Sequence, residues 1–296
     1  LQQNFTNLKI GHTLNNESKT YGFTQKAAIT SVFGSTNAIS TVDEKVKNSY
    51  INNELFLEFN SKYVLGKFKV NTLFTNYNYG YDSILNTNVT TVTSPKLKGS
   101  ALSFGGSWNA TIKNFQLNST MSITTGVGRI SGNNIYSEAI YKKDSLFKVK
   151  GSISINSKSP NFNTILYQSS YDAYNWQNDH FKNTNTRNIS LGVDTKWVNA
   201  EASITNIENY TYFDTFSKPQ QSGENVTYLK VKANNEFKFG KFALNNTILF
   251  QQVSSGKDVF RVPNFVTRNT LYYSDFLFKG NPLFLQTGIT FNYFSE

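Results

Sequence analysis

Cysteine is absent from this chain of 296 residues, so neither a disulfide framework nor a thiolate metal site is available to it. Such a chain suits passage through an oxidising compartment without thiol chemistry. Long apolar runs are missing as well. No stretch of consecutive apolar residues exceeds three, whereas a membrane-crossing helix needs roughly 20, which excludes a helical membrane protein. Methionine occurs once, proline five times and histidine twice. His12 and His180 stand far apart, and neither has a visible Ser partner or orienting group, both of which a Ser-His hydrolase needs. No carboxylate cluster at ligand spacing accompanies them, so no catalytic residue, transition-metal site or cofactor is expected. Gly105-Gly106 and Gly126-Val-Gly128 do not continue into a phosphate-loop sequence, and read as bulges or relief of strand crowding.

What the chain does contain is unusual in combination. It carries 25 Phe, 17 Tyr and 3 Trp, yet only 38% of it is hydrophobic and 39 residues are Asn. The mean hydropathy is −0.42, as expected when every second residue of a membrane-crossing strand faces water. Lys and Arg total 29 against 19 Asp and Glu, giving a net charge of +10. Nucleic-acid binders concentrate Arg and Lys on one face beside stacking aromatics. Here the Lys residues are spread along the chain at strand spacing, so no nucleic-acid partner is expected. Phosphates of lipopolysaccharide, or anionic solutes, fit the excess better.

Alternation of apolar and polar residues dominates the middle and the end of the chain. From 115 to 127, Phe115, Leu117, Met121, Ile123 and Val127 lie on one face and Gln116, Asn118, Thr120, Ser122 and Thr124 on the other, a period of two. The pattern recurs at 147–156, 188–197 and 228–239. Globular strands average about 5 to 6 residues and tilted membrane strands about 9 to 11, and these segments match the second figure. The full reading gives strands near 5–14, 20–33, 50–60, 67–77, 97–112, 115–127, 135–143, 146–156, 188–197, 200–207, 225–239, 242–253, 261–278 and 283–294. Short connections, at Asn15 to Lys19, Ser61 to Gly66, Lys113-Asn114, Asp144-Ser145, Val198-Asn199, Gly240-Lys241 and Lys279 to Pro282, alternate with long ones at 34–49, 78–96, 157–187 and 208–224. Tight turns on one rim and long loops on the other are the rhythm of an outer-membrane barrel. The expected fold is therefore all-β, a transmembrane antiparallel β-barrel with about fourteen strands in this chain. Every short turn follows an odd-numbered strand, so the first strand is expected to start, and the last to end, on the long-loop side. That implies one barrel domain over 1–296 lacking strands at both ends, with sixteen or more in the full protein. Leu1 is not a Met and no signal-like segment follows it, so the sequence reads as processed or cut from something longer.

Several stretches carry a family resemblance. They are Ser159-Pro-Asn-Phe-Asn, Tyr174-Asn-Trp-Gln-Asn178, Ser203 through Asp214, Arg268-Asn-Thr-Leu-Tyr-Tyr273, and Leu277 through Gly288 to Tyr293-Phe294. Together they resemble the putative porin family of the Bacteroidetes, clearly over 150–296 and only in style before that. The resemblance implies an outer-membrane barrel and supplies neither catalytic residues nor a solute.

Lys148, Lys150, Lys196, Glu201, Lys230, Lys232, Glu236 and Lys238 are the candidate pore-lining residues. Most of them oppose apolar faces on their strands, and a Lys facing lipid at mid-membrane costs about 2 to 4 kcal/mol. A Lys-rich lining favours anions; the plainer reading is that these residues hydrate the wall and balance Glu201 and Glu236. Tyr77, Tyr79, Tyr272, Tyr273, Tyr293 and Phe294 are expected in interfacial girdles. The expected activity is passive diffusion of small hydrophilic solutes. The rival is a plugged or structural barrel within a secretion or surface-protein complex, and a soluble β-sandwich adhesin ranks third. Expected partners are outer-membrane lipid, lipopolysaccharide and small solutes, with a homo-oligomer or other outer-membrane proteins as further options.

Overall fold

A computed structural model describes residues 7–38, 40–61, 64–143 and 147–296. In chain order its strands are β1 (Asn7–Gln25), β2 (Val42–Ser61), β3 (Val64–Gly80), β4 (Lys96–Ile112), β5 (Phe115–Val127), β6 (Gly132–Lys143) and β7 (Phe147–Lys158). The short β8 (Leu166–Tyr167) and β9 (Trp176–Gln177) come next, followed by β10 (Thr184–Thr195), β11 (Asn199–Glu208) and the short β12 (Thr211–Phe213) and β13 (Pro219–Gln221). The chain closes with β14 (Val226–Phe239), β15 (Phe242–Ser255), β16 (Phe265–Leu277) and β17 (Leu283–Phe294). Thirteen of these form one sheet in which each strand pairs antiparallel with its predecessor and successor, while β8–β9 and β12–β13 are small ribbons in the long loops. Two helices of four residues, α1 (Thr30–Phe33) and α2 (Phe162–Ile165), also lie in loops.

Register assigns a face to every wall residue, because directly paired residues point the same way and neighbours along a strand point oppositely. One face carries Ile10, Leu57, Val70, Phe104, Met121, Ile135, Ile153, Leu191, Ile204, Val231, Ile248, Leu271 and Ile289, one from each strand in turn. The other carries amides, hydroxyls and charges. The large apolar side chains of the first face are mostly exposed; Ile153 is 50% and Leu191 63% accessible. In water this would be untenable for so wide a patch, and in hydrocarbon it is the favourable arrangement.

The strand count differs from expectation at one place. Segments 5–14 and 20–33 are not two strands: Asn7–Gln25 run through unbroken, and Asn15 to Lys19 pair residue by residue with Asn52 to Asn48. On the apolar face of β1, the sequence Leu8, Ile10, Leu14 gives way to Asn16 and Ser18. Beyond that point the strand stands above the hydrocarbon with both faces wet, so its composition no longer alternates and imitates a turn. Ile29 to Phe33, read as strand, instead form α1 and its N-terminal cap. The first strand consequently begins on the short-turn side, opposite to the expectation. Fourteen expected strands become thirteen in the sheet, and the segments 115–127 and 283–294 coincide with β5 and β17. The expected turn at Asp144-Ser145, and the middle of the one at Ser61 to Gly66, lie outside the described residues.

The girdle assignment also needs correction. Tyr77 and Tyr79 pair with Tyr50 and Asn48 on the polar face and are 4% and 6% exposed, so they are core, and Tyr272 and Phe294 also fall on the polar face. Of the expected set, Tyr273 and Tyr293 lie on the apolar face. Aromatic clusters there sit instead at the short-turn rim. Phe115, Tyr141 and Phe147 meet at 4.7 and 5.9 Å, and Phe239, Phe242 and Tyr273 at 6.3 and 5.3 Å. Gly240, with φ +63°, opens the two-residue turn between Phe239 and Phe242, a left-handed position glycine fills at no steric cost.

Candidate functional site

The buried cluster of this protein joins the wall to a loop. It lies against the polar face at the long-loop rim, where the 159–183 connection folds inward. Phe162, Ile165 and Leu166 pack on Tyr77, Tyr79 and Leu97, with the Phe162 ring 5.2 Å from Tyr77 and 5.5 Å from Tyr79. The stretch 164–175 takes no place in the thirteen-stranded sheet. Burial of apolar side chains on a face of otherwise polar strands is what draws the loop in.

Hydrogen bonds from five other segments hold it there. The carboxylate of Glu44 on β2 accepts from Ser169 Oγ at 2.8 Å and Ser170 N at 2.7 Å. Tyr171 donates its hydroxyl to Gln25 Oε1 at 2.6 Å and accepts from Ile29 N at 2.8 Å. From the β3–β4 loop, Asn86 Nδ2 donates to Ser170 O and Asp172 Oδ1 at 2.9 and 2.7 Å, and Leu85 N donates to Gln168 Oε1 at 2.9 Å. Arg129, after β5, pairs with Asp179 at 2.8 Å and donates to the carbonyls of Asn178 and Phe181. Lys218, from the β12–β13 ribbon, donates to the carbonyls of Ala173 and Asn175 and lies 5.6 Å from the Trp176 ring centroid. Bonds from Asn86 and Ser35 hold the Asp172 carboxyl below its ordinary range, whereas burial lowers the Lys218 amine despite Asp214 nearby.

These contacts fix the curvature. Gln25 at the end of β1 and Lys218 beyond β11 reach Tyr171 and Ala173, two positions apart. The sheet order puts eight strand spacings between β1 and β11, or about 38 Å if flat. The sheet therefore curls around the loop with its polar face inward.

Seven of the eight candidate lining residues lie on that inner face: Lys148, Lys150, Glu201, Lys230, Lys232, Glu236 and Lys238. Lys196 does not, being in the β10–β11 turn. Most of the set is paired. Lys148 Nζ sits 2.8 Å from Asp194, Lys150 2.9 Å from Glu201, and Lys238 2.9 Å from Glu236, which also accepts from Tyr272 at 2.8 Å. Lys150 and Glu201 lie two strands apart, each directly opposite Gly192 on β10. A Cβ on Gly192 would come within 2.4 Å of Lys150 Cε, so the missing side chain is what lets the pair cross the strand. Lys230 and Lys232 make no ion pair among the described residues; they face Ser203 and Gln251, and Glu201 and Leu249. Pairs as exposed as these add little to stability; they set the charge of the face.

His12 faces the apolar side opposite Leu55, and His180 meets the edge of Phe181 at 5.0 Å. Glu44, Arg129 and Lys218 were not singled out by sequence. They sit at strand ends or in loops without periodicity, and only the folded arrangement brings them together.

Comparison with known proteins adds the following. A family model described as "Putative porin" matches residues 1–296. No curated protein matches the sequence. Among solved structures, the siderophore receptor PirA from Acinetobacter baumannii is similar, with a TM-score of 0.62 and 13% identity over 90% of this chain and 45% of that one. A variant of the ferric enterobactin receptor PfeA from Pseudomonas aeruginosa gives 0.63 and 10%, over 96% and 46%. The FrpB iron transporter from Neisseria meningitidis gives 0.55 and 10%, over 92% and 49%. The chain thus spans about half the length of these proteins, and at such identities the likeness is one of fold.

Proposed function

Because this chain belongs to the Putative porin family, and so resides in the outer membrane, we propose that its curled sheet is wall from a single closed barrel that passes small hydrophilic solutes by diffusion. Open sheet edges are not tolerated in hydrocarbon, and β1 and β17 each have one free edge in the sheet. Closure onto each other or onto further strands is required, and a barrel of sixteen or more strands meets that need. The observation that carries the reading is the consistent polarity of one face across all thirteen strands, curled inward. The 159–183 loop then narrows the outer mouth.

Lining charge follows from the pairing. Lys148, Lys150 and Lys238 are largely neutralised by their carboxylates, leaving Lys230 and Lys232 to bias the lumen towards anions. Reconstituted protein in a planar bilayer under a KCl gradient tests this. A steady conductance with anion preference is expected, and Lys230→Glu with Lys232→Glu should move the reversal potential towards cation preference. An unchanged potential would remove the assignment of these two lysines.

The dense bonding of the inward loop favours a second reading, a plugged barrel that serves a surface complex. Electrical silence together with a co-purifying outer-membrane protein would favour it over the channel.

A further inference from the structure

Between the inward loop and the wall lies a cavity of about 370 Å³, within the size range of small-ligand sites. It is roofed by 159–162 and walled by the upper ends of β2, β3, β5, β6 and β7. Its lining has a narrow chemistry. Five Asn and five Ser or Thr residues line it beside the rings of Tyr50, Tyr79 and Phe162, and Asn156 Nδ2 donates to Asn134 Oδ1 at 3.3 Å. No carboxylate lines it, and the single cation, Lys158, is exposed at its rim.

Asn48 lines the cavity, while its Oδ1 is enclosed away from it and meets no donor among the described residues.

We propose that this cavity binds a neutral saccharide of one or two rings. Asn side chains offer paired donors and acceptors that match vicinal hydroxyls, and aromatic faces cover the apolar faces of sugar rings as in other mostly apolar sites with a few placed polar groups. A phosphate or carboxylate ligand would want several cations, which the lining lacks. Cleavage of a glycosidic bond needs two carboxylates, so the site retains its ligand without hydrolysing it. The inference rests on the reading of the inner face as the solute path, and it makes the cavity a first stop at the outer mouth.

Isothermal titration of the detergent-solubilised protein with maltose, lactose, cellobiose and sucrose, and separately with inorganic phosphate, tests the site without any conductance measurement. Binding of at least one sugar is expected, with phosphate giving no heat. Asn48→Ala and Asn161→Ala should each weaken the sugar about tenfold. Asn48→Ala should leave thermal stability unchanged or raised, because an unsatisfied acceptor disappears, and the Asn161 side chain makes no capping bond that would be lost. Absence of binding for every sugar, binding of phosphate alone, or sugar binding indifferent to both variants overturns the proposal. Sugar binding by a protein that conducts no ions would sink the channel and leave the site standing; conductance without sugar binding would do the reverse.

Discussion

Adjacent residues midway along β7 offer the sharpest test of which face meets lipid. Ile153 lies on the apolar face between Ser137 on β6 and Ile189 on β10. Ser152 lies on the inner face between Glu138 and Ser190, sharing a hydroxyl hydrogen bond with Ser190 at 2.7 Å. An Arg near the bilayer midplane on the lipid side costs about 2 to 4 kcal/mol, so Ile153→Arg should lower the folding equilibrium roughly 30- to 1000-fold at 1.4 kcal/mol per decade. Ser152→Arg forfeits one hydrogen bond of about 1 kcal/mol and gains a neighbouring Glu138 worth up to about 1 kcal/mol, so its net effect should be close to zero. Urea titrations of both variants folded into phospholipid vesicles, followed by Trp fluorescence, read the difference directly. Equal costs for the two substitutions, or a larger cost for Ser152→Arg, would refute the assignment of faces and with it the membrane reading of the sheet.

Three further outcomes are expected. Phe162→Ala should loosen the inward loop by about 3 kcal/mol, as for a large buried aromatic; faster proteolysis within 159–183 checks it, and an unaltered cleavage rate would contradict the packing described. Gly192→Ala should displace Lys150 and free Glu201, shifting ion selectivity measured by reversal potential, whereas a silent substitution would mean the pair does not govern the lining. Asp214 accepts backbone bonds from Phe216 and Lys218, and these, led by Lys218, hold its carboxyl below the ordinary range. A depressed carboxylate stabilises fully above the unfolded value of about 3.9 and loses that contribution only as pH falls through the folded value. Amide exchange at Phe216 and Lys218 should therefore stay protected at pH 4 to 5 and speed up only on stronger acidification; loss of protection already near pH 5 would count against it.

The sequence by itself determined the wall. A strand between hydrocarbon and water must alternate residue by residue, and that demand is local, so β5 and β17 could be read from Phe115 to Val127 and Leu283 to Phe294 without knowledge of their neighbours. It also determined the faces of Lys148, Lys230 and the other strand lysines, since parity along a strand suffices. Where the demand lapses, so does legibility: above the hydrocarbon Asn15 to Lys19 carry no alternation and looked like a turn. Only the tertiary structure decided what happens inside. Pairing of Lys150 with Glu201 needs two registers and an empty Gly192 between them. The inward fold of 159–183 needs Glu44, Asn86, Arg129 and Lys218, scattered over some 175 positions, to meet at one rim. Such contacts depend on curvature, a property of the whole sheet that no local pattern encodes.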